Sequence, residues 1–287
     1  ASPCHLLIIL CRLVGIRNVY LDAGWPLLDS TLIRNKDEMI VRKLLLRFKS
    51  KCIDYFSFRF SLGVFLESYG QKYRYTKSTK TSSRFFVSYT GFNEPKIPKE
   101  DFVGVTYGLS KIKDTPYAFF RGKNNEEANL ARIISLFSKL DNYISLIIAT
   151  DKLDKNIEIP QNIQILQGYL TREHLESLYQ KSIMTVGQFG SLNRQNISIP
   201  HKVFEAAYFG KPYLTPISCS LLEVLPRNAA LYLEVQSEDE IIREIKRYLQ
   251  NPSYLQTVGD QAQKIYNWRF SNTKIALDLS LIHISEP

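Results

Sequence analysis

The sequence contains few cysteines and no long apolar run. The longest apolar run near the start, Leu6–Cys11, ends at Arg12, and a membrane-spanning helix needs roughly 20 apolar residues, so no such helix is predicted. The cysteines lack both the paired spacing of a metal site and the density of a disulfide framework, which favours a reducing, cytoplasmic environment. They are Cys4, Cys11, Cys52 and Cys219. With 287 residues and 45% hydrophobic content, the chain has enough material for two cores.

Basic charge is concentrated in the first third of the chain. Residues 1–97 contain 16 Lys and Arg against 7 Asp and Glu, whereas residues 98–287 contain 21 of each. The densest stretch, residues 34–51, interleaves basic residues with leucine and phenylalanine. Such a face attracts anionic lipid headgroups at about 1 kcal/mol per close charge, but a solubilising helix surface has the same pattern. No nucleic-acid reader motif accompanies it, so nucleic acid is not predicted as a partner.

The second part of the chain alternates strand and helix signals. Residues 143–150 form a near-continuous apolar run, which is typical of a strand buried on both faces. Shorter strand candidates are Ile163–Leu166 and Ile183–Gly187, with helices predicted over Arg172–Lys181 and Glu238–Gln250. This alternation predicts an α/β fold with a doubly wound parallel sheet. Ligands bind such sheets beyond the carboxyl ends of the strands.

Residues 199–212 (IPHKVFEAAYFGKP) predict a short helix with a carboxylate and two basic groups at its front. Glu205 in the first turn can accept two hydrogen bonds from a vicinal diol such as a ribose. Lys202, His201 and the free N–H groups of the helix can face phosphate. This combination suits a nucleotide diphosphate. The alternative is that Glu205 and Lys202 only cap a surface helix.

Residues 117–123 predict a strand that runs into a glycine turn, followed by an amphipathic helix over Glu126–Leu140. A strand, a glycine, a basic residue and a helix N-terminus form a phosphate-binding arrangement, because glycine lets the backbone approach the ligand. Arg121, Gly122 and Lys123 are the candidate residues. The alternative is that both basic residues are solvated loop charges.

Glu205-Ala206-Ala207-x-x-Gly210-x-Pro212 resembles the donor-site signature of retaining family 4 (glycosyl transferases group 1), whose members have two Rossmann-like domains in the GT-B fold. The resemblance implies that Glu205 holds the ribose of a sugar nucleotide. A second family carboxylate, eight positions earlier, is Ile197 here. The family also has Gly-Arg followed by Lys-Gly, where this chain has Gly122-Lys123 and then Ala128-Asn129.

The resemblance also implies a domain organisation. Residues 1–97 are the C-terminal part of an acceptor-side Rossmann-like domain, and residues 98–270 are a donor-binding Rossmann-like domain. Residues 271–287 form a tail whose last residues, LSLIHISEP, do not continue any pattern and resemble appended non-native sequence. A complete first domain has roughly 150–200 residues, so the chain is expected to be a fragment that lacks the start of that domain.

The implied reaction transfers a sugar from a nucleotide-diphosphate sugar to a hydroxyl of a glycan or lipid-linked acceptor, as in polysaccharide biosynthesis. The resemblance implies retention of configuration. The sequence has no Asp-x-Asp pair in a strand-end setting, so a metal ion is not predicted. No cofactor is expected besides the nucleotide sugar, and the expected location is the cytoplasm or the inner face of the membrane. An inactive nucleotide-binding module and a sugar-nucleotide epimerase are the alternatives.

The candidate residues fall into two groups. Lys123, Lys202 and Glu205 are the catalytic candidates. The donor-binding candidates are Arg121, Gly122, Lys123, Gly187, Gln188, His201, Lys202, Glu205, Leu222 and Glu223.

Overall fold

The structure is a computed structural model that divides into two units, residues 1–89 and residues 90–287. It describes residues 3–24, 26–28, 39–79, 84–92, 116–153, 157–168, 170–190, 193–234 and 237–284. The predicted domain boundary at residues 97 and 98 lies outside these residues. Among the described helices, none is long and apolar enough to cross a membrane.

The first unit is a parallel sheet with helices packed against it. Its strands pair in the order β1-β2-β3, and its aromatic core centres on Phe58, whose ring meets Tyr75 and Phe85 edge-on at 5.7 and 5.8 Å. The helices are α1 (Pro3–Leu13), α2 (Ile40–Phe60) and α3 (Tyr69–Thr79), and the strands are β1 (Tyr20–Asp22), β2 (Gly63–Leu66) and β3 (Arg84–Val87).

The basic stretch at residues 34–51 lies partly in α2. Residues 34–38 are outside the described part of the chain, and residues 40–51 belong to this helix. This part of α2 has both basic and apolar side chains that are exposed, among them Arg47, Lys51, Leu45 and Phe48. The first buried residue of α2 is Ser50, so most side chains of both kinds in the N-terminal half of this helix are exposed.

The second unit confirms the doubly wound parallel sheet. Its strands pair in the order β6-β5-β4-β7-β8-β9, and every pair is parallel. The strands are β4 (Tyr117–Arg121), β5 (Ser145–Thr150), β6 (Ile163–Gln167), β7 (Met184–Val186), β8 (Tyr213–Pro216) and β9 (Leu231–Leu233). The helices are α4 (Leu130–Ser138), α5 (Arg172–Lys181), α6 (Lys202–Tyr208), α7 (Cys219–Val224), α8 (Glu238–Leu249), α9 (Pro252–Ile265) and α10 (Asn272–Ile284).

Alternate residues of β4 serve the two faces of this sheet, as the period of a strand requires. Ala118 and Phe120 join the core beneath α4 and α8, whereas Tyr117 and Phe119 pack on the opposite face with residues of α5. The chain proceeds from β4 outward through β5 and β6, then returns to the other side of β4 for β7. This reversal between β4 and β7 is the topological switch point at which such sheets bind ligands.

The predicted helix over residues 126–140 has different bounds in the structure. The helix after β4 begins at Leu130 rather than Glu126, because Asn129 adopts a left-handed conformation (φ 51°) and its side chain caps Arg132 N–H. Residues 122–129 therefore form a loop. Helix α9 ends at Ile265, and the chain continues as a π-helical turn over Tyr266–Phe270. The tail is helical to Ile284, although its sequence predicted no element, and residues 285–287 are not described.

Candidate functional site

A cavity of about 470 Å³ opens in the second unit where β4, β5 and β6 end. Arg121, Gly122 and Lys123 line it from the end of β4, and His201 and Glu205 line it from the start of α6. Five of the predicted donor-site residues thus border one cavity, although at least 78 positions separate the two segments in the sequence.

Glu205 is the carboxylate at the centre of this site. It is 5% exposed, yet it lines the cavity. Its Oε1 accepts a hydrogen bond from Arg121 Nη1, and its Oε2 accepts one from the Tyr179 hydroxyl at 2.5 Å. A buried carboxylate is costly unless it is paired and hydrogen-bonded, and these two donors provide that stabilisation.

The partners of Glu205 keep their protons. Burial opposes the charge of the Arg121 guanidinium, but the neighbouring carboxylate outweighs this effect and raises the pKa of Arg121. Burial, together with the charge of Glu205, raises the pKa of Tyr179 well above its ordinary value. Arg121 is therefore a cation and Tyr179 a hydroxyl donor throughout the physiological pH range.

Lys202 lies beneath the glycine turn rather than in the cavity wall. Its Nζ is 5.0 Å from the centroid of the Phe120 ring, and a Cβ on Gly122 would lie only 2.7 Å from its Cε. The absence of a side chain at Gly122 is therefore what leaves room for this ammonium group. Burial lowers the pKa of Lys202 to about 8, while Glu205 and Glu127 act in the opposite direction.

Ala128 occupies the position where the family pattern has lysine. Its side chain is 1% exposed and belongs to the core beneath α4, and its backbone N–H is capped by Asn125 Oδ1 at 2.8 Å. A lysine there would have to leave the core. The structure instead places the ammonium of Lys202 next to the turn at Gly122.

The remaining candidates are spread more widely. A Cβ on Gly187 would lie 2.8 Å from Thr215 Cβ, so this glycine permits close packing of β7 and β8. Gln188 lines a separate cavity of about 360 Å³, together with Ser218. Leu222 and Glu223 are not among the described residues that line these two cavities. The structure therefore brings Leu222 and Glu223 into neither space.

Helix α5 supplies a cavity wall that sequence reasoning missed. Arg172, Leu175, Glu176 and Tyr179 all line the cavity, and their spacing is that of one face of a helix. Arg172 Nε donates to Glu176 Oε1 at 2.7 Å. The sequence contained this periodicity, but only the crossover from β6 determines that the face points at Glu205.

Comparisons with known proteins agree with the fold of this unit. Residues 150–279 match the family model described as "Glycosyl transferase-like". No curated protein is similar enough to the chain to count as a match.

Solved structures are similar over almost the whole chain. A sucrose-phosphate synthase from Thermosynechococcus elongatus is 12% identical with a TM-score of 0.71, over 97% of this chain and 70% of that one. HepE from Anabaena, in complex with UDP-glucose, is 13% identical with a TM-score of 0.69, over 96% and 76%. WaaG, a glycosyltransferase involved in lipopolysaccharide biosynthesis, is 13% identical with a TM-score of 0.68, over 95% and 80%. The chain has the GT-B fold of glycosyltransferases, and residues 150–279 form a glycosyltransferase-like domain.

Proposed function

We propose that this protein transfers a sugar from a UDP-sugar to an acceptor hydroxyl, and that the cavity beside Glu205 holds the nucleotide. The observation that carries the proposal is the buried carboxylate of Glu205. It lines the same cavity as the cationic side chains of Arg121 and Lys123, and it is paired with Arg121. A carboxylate of this kind can accept hydrogen bonds from the vicinal hydroxyls of a ribose. The structure of HepE with UDP-glucose supports uridine as the base.

Transfer would proceed by loss of the diphosphate from the sugar. Negative charge develops on the departing diphosphate, and fixed cations aimed at it lower the barrier. Lys123 at the cavity wall and Lys202 beneath Gly122 would supply this charge, with Arg121 beside them. These side chains are the basis for proposing a metal-independent reaction. Retention of configuration is proposed from the family resemblance.

The acceptor is proposed to be a glycan or a lipid-linked molecule, and peripheral contact with anionic membrane is proposed through α2. Support comes from the exposed basic and apolar side chains of its N-terminal half, which include Arg47, Lys51, Leu45 and Phe48. Basic residues with apolar neighbours bind anionic interfaces through both charge and burial. This contact would place the enzyme at the cytoplasmic side of a membrane.

An inactive nucleotide-binding module is the second candidate. It is favoured by the apolar Ile197, where the family has a sugar-contacting carboxylate, and by Ala128 in place of lysine. Both candidates bind UDP, but only the transferase consumes a UDP-sugar. Release of UDP from UDP-sugars in the presence of glycan or lipid acceptors separates them.

Isothermal titration of the full chain with UDP, GDP and ADP tests the donor site. Glu205→Gln removes the charge but keeps the shape, and we expect it to weaken UDP binding by about 1.5–3 kcal/mol, the range for a lost hydrogen bond to a charged group. Glu240→Gln, at an exposed position of α8, is the matched control and should bind as the wild type does. A folded wild type that binds no nucleotide, or a Glu205→Gln variant with unchanged affinity, would contradict the proposal.

A further inference from the structure

The two oxygens of Glu205 are held by two different donors. Arg121 Nη1 donates to Oε1, and the Tyr179 hydroxyl donates to Oε2 at 2.5 Å. An ionised carboxylate offers about four acceptor sites in total. About two sites therefore remain, which matches the two vicinal hydroxyls of a ribose. The orientation of the carboxylate decides whether these sites point together into the cavity.

Tyr179 is fixed in place by its surroundings. It is 3% exposed, its ring stacks on Phe209 with centroids 5.3 Å apart and planes at 7°, and it meets Phe119 edge-on at 4.9 Å. Phe209 ends the helix that carries Glu205, and its N–H donates to the Glu205 carbonyl. Tyr179 thus contacts α6 at two points one turn apart, through its ring and through its hydroxyl.

Arg121 alone would not fix the carboxylate in the same way. A guanidinium favours paired contacts with both oxygens of a carboxylate. In the structure, Arg121 donates to Oε1 and the Tyr179 hydroxyl donates to Oε2. Without the tyrosine hydroxyl, Oε2 could turn toward the guanidinium and withdraw an acceptor site from the cavity.

We infer that Tyr179 is a positioning residue that orients the Glu205 carboxylate toward the ribose of the nucleotide, and so sets the preference for ribose over deoxyribose. This inference rests on the proposed function, because it requires a nucleotide in the cavity. Tyr179 acts through its hydrogen bond to Glu205 and is therefore not a catalytic residue.

Tyr179→Phe is the variant that tests the inference, because it removes the hydroxyl and retains the ring that packs on Phe209. Tyr213→Phe is the matched control. Tyr213 is 1% exposed in β8, and among the described residues its hydroxyl has no hydrogen-bond partner. Each variant and the wild type is titrated with UDP and with 2′,3′-dideoxy-UDP, and the ratio of the two dissociation constants is compared. This ratio does not depend on the fraction of folded protein, so a partly unfolded variant still gives a result.

We expect the wild type to bind UDP more tightly than the dideoxy analogue. Tyr179→Phe should reduce this preference by about tenfold, the effect of a hydrogen bond to a charged group, while Tyr213→Phe keeps it. If Glu205→Gln abolishes the preference for UDP over the dideoxy analogue but Tyr179→Phe retains it, the inference about Tyr179 is overturned while the proposed function stands. An equal loss of affinity for both nucleotides in Tyr179→Phe would also overturn it, because that is the signature of a structural role. A wild type that binds neither nucleotide would overturn the proposed function as well.

Discussion

At the residue scale, Lys202 carries a charge where burial opposes it. Its pKa falls to about 8 from the usual 10.5 because the ammonium lies beneath Gly122 and against Phe120. A bound diphosphate would favour the charged form of this lysine. Its protonation should therefore be coupled to donor binding.

We predict that UDP affinity decreases by about tenfold per pH unit above pH 8, since only the protonated Lys202 attracts the diphosphate. The terminal phosphate of UDP titrates near pH 6 and does not contribute in this range. Isothermal titration at several pH values measures the effect. Lys202→Met should bind more weakly at pH 7 and lose this pH dependence. The same profile in the wild type and in the variant would contradict the assignment of Lys202.

The stability of the protein should have the opposite dependence on pH in this window. Between pH 8 and 10.5 the unfolded chain binds more protons at Lys202 than the folded one, so the free energy of unfolding rises with pH. Below pH 8 the full cost of the buried ammonium is present. Lys202→Met should therefore be at least as stable as the wild type at pH 7, as measured by thermal unfolding.

Pairings between single residues are also where sequence reasoning had the least information. Arg121 and Glu205 were both candidates, but nothing in the sequence indicates that residues 84 positions apart form an ion pair. Tyr179 was missed for the same reason. Its partner is determined by the packing of α5 against the sheet, and a helical periodicity alone does not reveal the neighbouring helix.

At the scale of elements, the strands were more predictable than the loops. The apolar run that contains β5 is buried at every position of that strand, as its composition indicates. The start of α4 was placed too early because residues 126–129 have no strong breaker. The structure ends the loop with a left-handed Asn129, a conformation that asparagine adopts more readily than most residues.

Helix α2 carries the prediction that belongs to this scale. The full chain should bind vesicles that contain phosphatidylserine more tightly than neutral vesicles. Arg47→Gln combined with Lys51→Gln removes two exposed charges one turn apart, and at about 1 kcal/mol each this should weaken binding by about 30-fold. Sedimentation with vesicles measures this partition.

The control for this experiment alters the same number of charges elsewhere. Lys181→Gln combined with Lys264→Gln changes two exposed positions of the second unit and should leave vesicle binding nearly unchanged. Equal binding to neutral and anionic vesicles would show that α2 is only a solubilising surface.

At the scale of the whole molecule, the GT-B fold was predicted from the donor-site signature around Glu205 and from the alternation of strands and helices. The similar solved structures have the same fold at 12–13% identity. At this identity the fold is shared, but the details of a site do not follow from it. Gln188, Leu222 and Glu223 do not line the cavity that Glu205 lines. Their positions depend on loop conformations after β7 and β8, which local sequence patterns do not determine.

A crystal structure of the full chain with UDP tests the central claim most directly. We predict that both ribose hydroxyls lie about 2.6–3.2 Å from the Glu205 carboxylate, within hydrogen-bond distance, with the diphosphate beside Lys123 and Lys202. UDP bound with its ribose away from Glu205, or outside the cavity altogether, would contradict the account.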